Sequence, residues 1–190
     1  LSHTKIKDLP RLIDHIQTNT KVPICLDTEG AQIRTGDFTQ EYVKLRENNI
    51  VHACRRAVPG NEIRFNLEPR EIVNKIHVGD FISIDFNSVL VQVVARENED
   101  LILRVLNGGQ VGRNKAVTIE REIILPPLSK KNTQAIEIGK SLGLSHFALS
   151  FANRPSDVEM IRKLTDSNTF IISKIESLSG LANLENIANL

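Results

Sequence analysis

The sequence predicts a mixed α/β fold carrying an all-β insertion, and three observations lead there. Short apolar strand patterns alternate with helical ones over residues 7–36 and again over 129–190, as in units whose parallel strands are joined by helices. Between them, residues 37–121 lose any helical period and break into short alternating runs punctuated by Gly, Asn and Asp, the texture of a sheet built from hairpins. The β-branched run Phe170-Ile171-Ile172-Ser173 then leads into Lys174 and Glu176, which reads as a buried strand delivering two charges at its C-terminal end.

Each element follows from local pattern. Residues 7–18 place Leu9, Leu12, Ile13 and Ile16 at helical spacing, with Pro10 tolerated in the first turn. Residues 22–26 read as a short buried strand, followed by a loop rich in Asp27, Thr28, Gly30, Arg34, Thr35 and Gly36; functional loops of α/β units lie at that end of a strand. In the β region, strands are expected over 62–67, 81–86, 89–95, 101–106 and 116–119. Gly108-Gly109-Gln110-Val111-Gly112 lacks the strand–loop–helix setting of a phosphate loop and reads as a turn. Leu125-Pro126-Pro127-Leu128 marks the return of the α/β pattern, where Ser129 caps a helix over 132–142 that Gly143 ends. A strand over 146–151, a helix over 156–164 capped by Ser156, the strand 170–175 and a helix over 181–190 complete the series.

Strands alternating with helices imply a parallel sheet. A whole (β/α)8 barrel needs about 250 residues, so the α/β portions amount to a partial TIM barrel with a small all-β barrel domain inserted. The expected division is 1–36 and 122–190 for the barrel segment and 37–121 for the insertion. No internal repeat or low-complexity tract stands out.

Composition narrows the function classes. With 41% hydrophobic and 25% charged residues among 190, the chain has the material for a substantial core and nothing of a disordered segment. A net charge of +1 supplies no global field for nucleic acid or an anionic membrane, so neither is an expected partner. The two cysteines, Cys25 and Cys54, lack metal or redox spacing. Cys25, inside an apolar pattern, is expected to be a reduced, packed thiol, which suits the cytoplasm. No stretch of these residues reads as a signal peptide, nor as an apolar run of the roughly 20 residues that span a bilayer. The chain opens on Leu1 rather than Met, so further residues are expected before it.

The chemistry concentrates near residue 174. Positions i and i+2 of a strand share a face, so Lys174 and Glu176 can share one pocket while Ile175 faces into packing. That pair suits a metal-bound anionic substrate, the carboxylate holding the cation and the ammonium offsetting negative charge; an ion pair at a strand end is the simpler alternative. Arg34 likewise reads either as a phosphate ligand or as one half of a surface ion pair.

The wording around these residues resembles one family. Ser173-Lys174-Ile175-Glu176, the earlier Cys25-Leu26-Asp27-Thr28-Glu29-Gly30-Ala31-Gln32-Ile33-Arg34-Thr35-Gly36, and the opening Leu1-Ser2-His3 resemble three motifs of pyruvate kinase in the same order. Leu125-Pro126-Pro127-Leu128-Ser129 and Ser150-Phe151 resemble the family's words between them, and the resemblance covers nearly the whole chain. It implies phosphoryl transfer from phosphoenolpyruvate to ADP, giving pyruvate and ATP, with Mg2+ or Mn2+ and K+ as cofactors. It implies Lys174 as the catalytic and substrate-binding lysine, Glu176 as a divalent-metal ligand, and Ser2, Asp27 and Thr28 as monovalent-cation ligands. His3, Arg34 and Lys115 are implied at the nucleotide and phosphates, and Ser150 at the substrate. The inserted domain is implied to act as a lid, and the whole enzyme to be a homo-oligomer.

Departures from the family pattern keep other expectations open. Glu29 stands for a lysine, Ala31 for a proline, Gln32 for a glutamate, and Ala116 for a glycine. Asp85-Phe86-Asn87 stands for Asp-Asp-Gly, and Ser129-Lys130-Lys131-Asn132 for Ser-Glu-Lys-Asp. The family's second metal carboxylate, in an Ala-Arg-Gly-Asp-Leu-Gly segment, falls beyond Leu190. A catalytically weak homologue that binds a phosphorylated metabolite or a protein partner is therefore the second expectation. Another phosphoenolpyruvate-using barrel enzyme is the third.

Overall fold

A computed structural model of the chain describes residues 1–2 and 4–190. A 3-10 turn at Ile6–Asp8 leads into α1 (Leu9–Asn19) and then β1 (Cys25–Asp27). Ten strands follow with no α-helix among them: β2 (Ile33–Thr35), β3 (Tyr42–Leu45), β4 (Ile50–Ala53), β5 (Arg64–Phe65), β6 (Leu67–Glu68), β7 (Phe81–Ile84), β8 (Val89–Glu97), β9 (Asp100–Asn107), β10 (Gly109–Gly112) and β11 (Ala116–Ile119). The chain ends in α2 (Lys130–Ser141), β12 (His146–Leu149), α3 (Pro155–Leu164), β13 (Phe170–Ser173), α4 (Leu178–Ala182) and α5 (Leu184–Ala188). The fold is mixed α/β. It divides into two compact units, Leu1–Ala31 with Leu125–Leu190, and Gln32–Ile124. Because β2 pairs with β11 and β6, the first division falls after Ala31 rather than after Gly36.

In the first unit β1, β12 and β13 form a parallel sheet in that order, with Asp27 opposite Ala148 and Ser173 opposite Leu149. Leu26, Phe147 and Leu149 turn to one face and pack with Leu9, Ile13, Ala135, Ile136, Val158 and Ile161 from the helices, so the apolar stripes of α1, α2 and α3 cover that face. The other face is open among the described residues. Phe170 is 66% and Ile172 50% exposed, which corrects the reading of this run as a buried strand. Cys25 is exposed as well, correcting its expected packing. Its strand alternates exposed and buried positions, and Cys25 lies on the open face.

Helix ends follow capping chemistry. Ser129 caps α2 by accepting the Asn132 N–H at 3.1 Å, and Gly143 ends it with φ +79°, the left-handed turn glycine takes at low cost. The start of α3 corrects the expectation at Ser156. Pro155, with its fixed φ and missing N–H, takes the first turn, and the Asp157 carboxylate accepts the Arg154 N–H at 3.0 Å. The expected single helix over 181–190 is two short ones. Asn183 interrupts them, its side-chain amide donating to Asn153 O and Ser179 O at 2.9 and 3.0 Å, the competition with helix geometry typical of asparagine.

The second unit holds an eight-stranded sheet, β5-β4-β9-β8-β7-β11-β2-β6, and a two-stranded pair of β10 with β3. The glycine-rich stretch read as a turn is therefore strand β10. Apart from β4 with β5, all pairs are antiparallel. Every second residue points inward, so Ile82, Ile84, Val89, Val91, Leu101, Leu103 and Val105 are fully buried. The β8–β9 hairpin turns at Asn98 with φ +53°, a conformation asparagine tolerates.

A partly buried ion pair anchors the entry to β7. Arg121 Nε donates to both Asp80 carboxylate oxygens, at 2.9 and 3.0 Å, and the His77 N–H donates to Oδ2 at 2.8 Å. Burial alone pushes the Asp80 carboxyl up, but the hydrogen bonds from Arg121 and His77 and the Arg121 charge bring it below the ordinary carboxylate value. A carboxyl depressed in the fold stabilises it at neutral pH, and that contribution fades as the pH falls through the acid range. Asp80→Ala is expected to cost about 2 kcal/mol at neutral pH, less than for a fully buried pair because Arg121 is partly solvated. Denaturant titrations of both proteins at about pH 7 and about pH 3 check this: the difference shrinks in acid, whereas an undiminished one contradicts it.

Candidate active site

Three strand ends converge in the first unit. The Lys174 N–H donates to Leu149 O and the Lys174 carbonyl accepts from Ala152 N–H, at 2.9 and 3.0 Å, which carries the β12–β13 pairing past Ser173. Parallel strands bring their C-terminal ends to one edge, so Asp27, Ser150 and Lys174 come together from positions more than 120 residues apart in part. Lys174 Nζ lies 3.0 Å from each carboxylate oxygen of Asp27 and 3.7 Å from Glu176 Oε1. Ile175 packs toward the core beneath.

The surrounding atoms fix the carboxylates. The single Ser150 hydroxyl hydrogen is shared between Asp27 Oδ1, 3.0 Å from Oγ, and Thr28 O, 2.7 Å from it, and the Ser150 N–H donates back to Thr28 Oγ1 at 3.0 Å. Thr28 and Ser150 are both buried, so this interlock is shielded from water and correspondingly rigid. The Phe151 N–H donates to Glu176 Oε2 at 3.0 Å. Phe151 has φ +53°, a costly conformation for an aromatic residue that turns this N–H onto the carboxylate. Sequence reading missed this contact, because a backbone N–H leaves no mark in the residue types.

The arrangement is an ammonium between two carboxylates. It offers a fixed positive charge for an anionic substrate and hard oxygen atoms for a cation. Among the described residues no group of three or more His, Cys, Asp and Glu side chains forms a metal cluster. Asp27 and Glu176 are the two carboxylates that contact the Lys174 ammonium.

The remaining expected residues are placed as follows. Ser2 lies in the first unit, partly buried; His3 lies outside the described residues. Arg34 and Lys115 belong to the second unit. Arg34 Nη1 donates to Asn114 O at 3.0 Å. The buried Thr35 hydroxyl donates to Gly112 O at 2.7 Å and accepts the Lys115 N–H at 2.8 Å, fixing this turn. Lys115 Nζ is 3.0 Å from Asp85 Oδ2 and 5.5 Å from the Tyr42 ring centre. The hydrogen bond that Lys115 donates to the Asp85 carboxylate is the main cause that raises the Lys115 pKa. Asp85, Phe86 and Asn87 all have positive φ, and Phe86 is 87% exposed at the tip. Cys54 is buried, which pushes its thiol up to about 11.

The family model described as pyruvate kinase, barrel domain, matches residues 2–190. The chain belongs to the pyruvate kinase family. It is 32% identical over 173 residues to the pyruvate kinase of Staphylococcus saprophyticus, with 87% of this chain and 30% of that protein covered. It is 31% identical over 175 residues to the pyruvate kinase of Clostridium acetobutylicum, covering 89% and 37%. A pyruvate kinase of Staphylococcus aureus is 29% identical over 172 residues, with 87% and 29% covered. The chain thus spans about a third of the length of these relatives. Among the described residues no helix is long and apolar enough to cross a membrane.

Proposed function

We propose that this chain contributes to a pyruvate kinase-type transfer, in which the phosphoryl group of phosphoenolpyruvate passes to ADP and leaves pyruvate and ATP. The observation that carries this reading is Lys174, held between Asp27 and Glu176 at the ends of parallel strands. Phosphoryl transfer depends on positioning and charge neutralisation rather than on covalent chemistry by the protein. As the phosphoryl group departs, negative charge grows on the enolate oxygen, and the Lys174 ammonium offsets it.

Glu176, with Asp27 beside it, is the side chain that would hold Mg2+ or Mn2+, and Ser2, Asp27 and Thr28 supply the hard oxygen donors an ion such as K+ prefers. The divalent ion, when bound, draws charge from the phosphate oxygens. Ser150 holds Asp27 and Thr28 in place and lines the substrate; Arg34, Lys115 and His3 contact phosphate and nucleotide. The partial barrel with its β unit as an inserted lid, the soluble cytoplasmic setting and assembly into a homo-oligomer belong to the same proposal.

A second reading, a homologue that binds phosphoenolpyruvate or a similar metabolite without turnover, is favoured by one observation: Asp85 already occupies the Lys115 ammonium at 3.0 Å. Ion dependence tests the kinase reading. With oxygen ligands from Asp27 and Thr28, product formation is expected to be faster in potassium chloride than in tetramethylammonium chloride at equal ionic strength, which removes screening as a cause. Equal rates in the two salts contradict the monovalent site.

A further inference from the structure

We propose that Glu29 and Lys131 act together as positioning residues for the Asp27–Thr28 loop. Resting on the kinase reading above, this gives a role to two residues that no substrate contact assigns. Glu29 Oε1 and Lys131 Nζ are 2.6 Å apart, with side chains 21% and 32% exposed, a short charge-assisted contact largely out of water. Lys131 Nζ also donates to Leu1 O at 2.8 Å. The next residue, Asn132, is fully buried and its Oδ1 accepts the Glu29 N–H at 3.2 Å. The residue before Glu29 is Thr28, whose N–H donates to Ala148 O at 2.9 Å and whose hydroxyl accepts from Ser150.

These contacts hold the loop from two sides. β12 secures Thr28, and the first turn of α2 secures Glu29 through one ion pair and one backbone bond. That turn is itself fixed, because Ser129 caps it through the Asn132 N–H. The carboxylate at position 29 therefore does not stand as an isolated reversed charge, since its partner lies on α2. Asn132 Nδ2 is buried with no hydrogen-bond partner among the described residues; the cost of that donor is tolerated at a point where its amide oxygen secures the loop.

A coupled pair predicts reciprocal rescue. Glu29→Lys sets two ammonium groups face to face and Lys131→Glu two carboxylates, whereas the double exchange restores opposite charges. Hydrogen exchange at the Glu29 amide is expected to speed up roughly tenfold in each single variant and to return to within about threefold of wild type in the double variant. Exchange at the Phe147 amide, deep in β12, stays unchanged, which separates local loosening from global destabilisation. In the coupled assay, each single exchange raises the potassium concentration needed for half-maximal rate, and the double exchange lowers it again. Unchanged Glu29 exchange in both single variants, or a double variant no better than the singles, overturns the proposal. Amide exchange needs no turnover, so it decides the positioning role even if wild type makes no product, a result that would count against the kinase reading alone.

Discussion

Lys174→Met is expected to lower kcat by roughly 10²-fold or more, about 2.7 kcal/mol of transition-state stabilisation, with a smaller change in substrate affinity. The magnitude is that of losing one donor aimed at a developing oxyanion. The split between kcat and binding follows because the enolate charge exists only in the transition state. Methionine keeps the unbranched shape of the side chain and removes only the ammonium, leaving Asp27 and Glu176 facing each other without the cation both now contact. Steady-state kinetics with phosphoenolpyruvate calorimetry separate the two effects. A loss confined to affinity, with kcat unchanged, would reduce Lys174 to a phosphate anchor.

The second large effect is structural. Gly30 has φ +72°, and a Cβ there would lie 2.5 Å from Ser150 O and 2.7 Å from Ser150 Cβ. Gly30→Ala combines a left-handed backbone penalty of about 1–2 kcal/mol with the displacement of a buried backbone, for a total of about 3 kcal/mol. Gly143 is the control: its φ is +79°, with nothing within 4 Å of the added methyl. Gly143→Ala is therefore expected to cost only the backbone share, about 1 kcal/mol. Ser150 carries the hydrogen bonds to Asp27 and Thr28, so Gly30→Ala also disturbs the site, whereas Gly143→Ala does not reach it. Denaturant unfolding of the two variants should differ clearly; equal losses would mean that the loop and β12 are not in the tight contact described.

What the sequence made legible depends on length and on capping. The alternation of strand and helix patterns after Leu125 is visible because α2 and α3 are long enough to show a period, and Ser129 and Gly143 mark the ends of α2 by their chemistry. The strands β2, β3, β4 and β10 are three or four residues long, too short for an alternation to stand out from a loop. Two glycines in β10 further disguised it as a turn. The run from Phe170 to Ile172 reads as a buried strand because apolar, β-branched residues dominate it. Yet helices cover only one side of its sheet, and an apolar pattern does not say which face has a neighbour.

The approach of Asp27, Lys174 and Glu176 was legible only as a spacing plus a resemblance; their contact distances come from parallel register, which residue types do not encode. The contacts of Phe151 and Asn132 left no mark in the residue types, since Phe151 donates its backbone N–H to Glu176 and the Asn132 side-chain oxygen accepts the Glu29 backbone N–H. The pairing of Glu29 with Lys131 had half a signal in the sequence, the reversed charge at Glu29, since Lys131 stands where the family pattern also has a lysine. Only the fold shows that the two lie together.

The most direct test is the formation of pyruvate and ATP from phosphoenolpyruvate and ADP by the wild-type protein, with magnesium and potassium present and phosphoenolpyruvate binding measured in parallel by calorimetry. Binding accompanied by metal-dependent formation of both products is the expected result. Binding of phosphoenolpyruvate with no product under any combination of divalent metal and salt would contradict it and leave Lys174 as part of a metabolite-binding site.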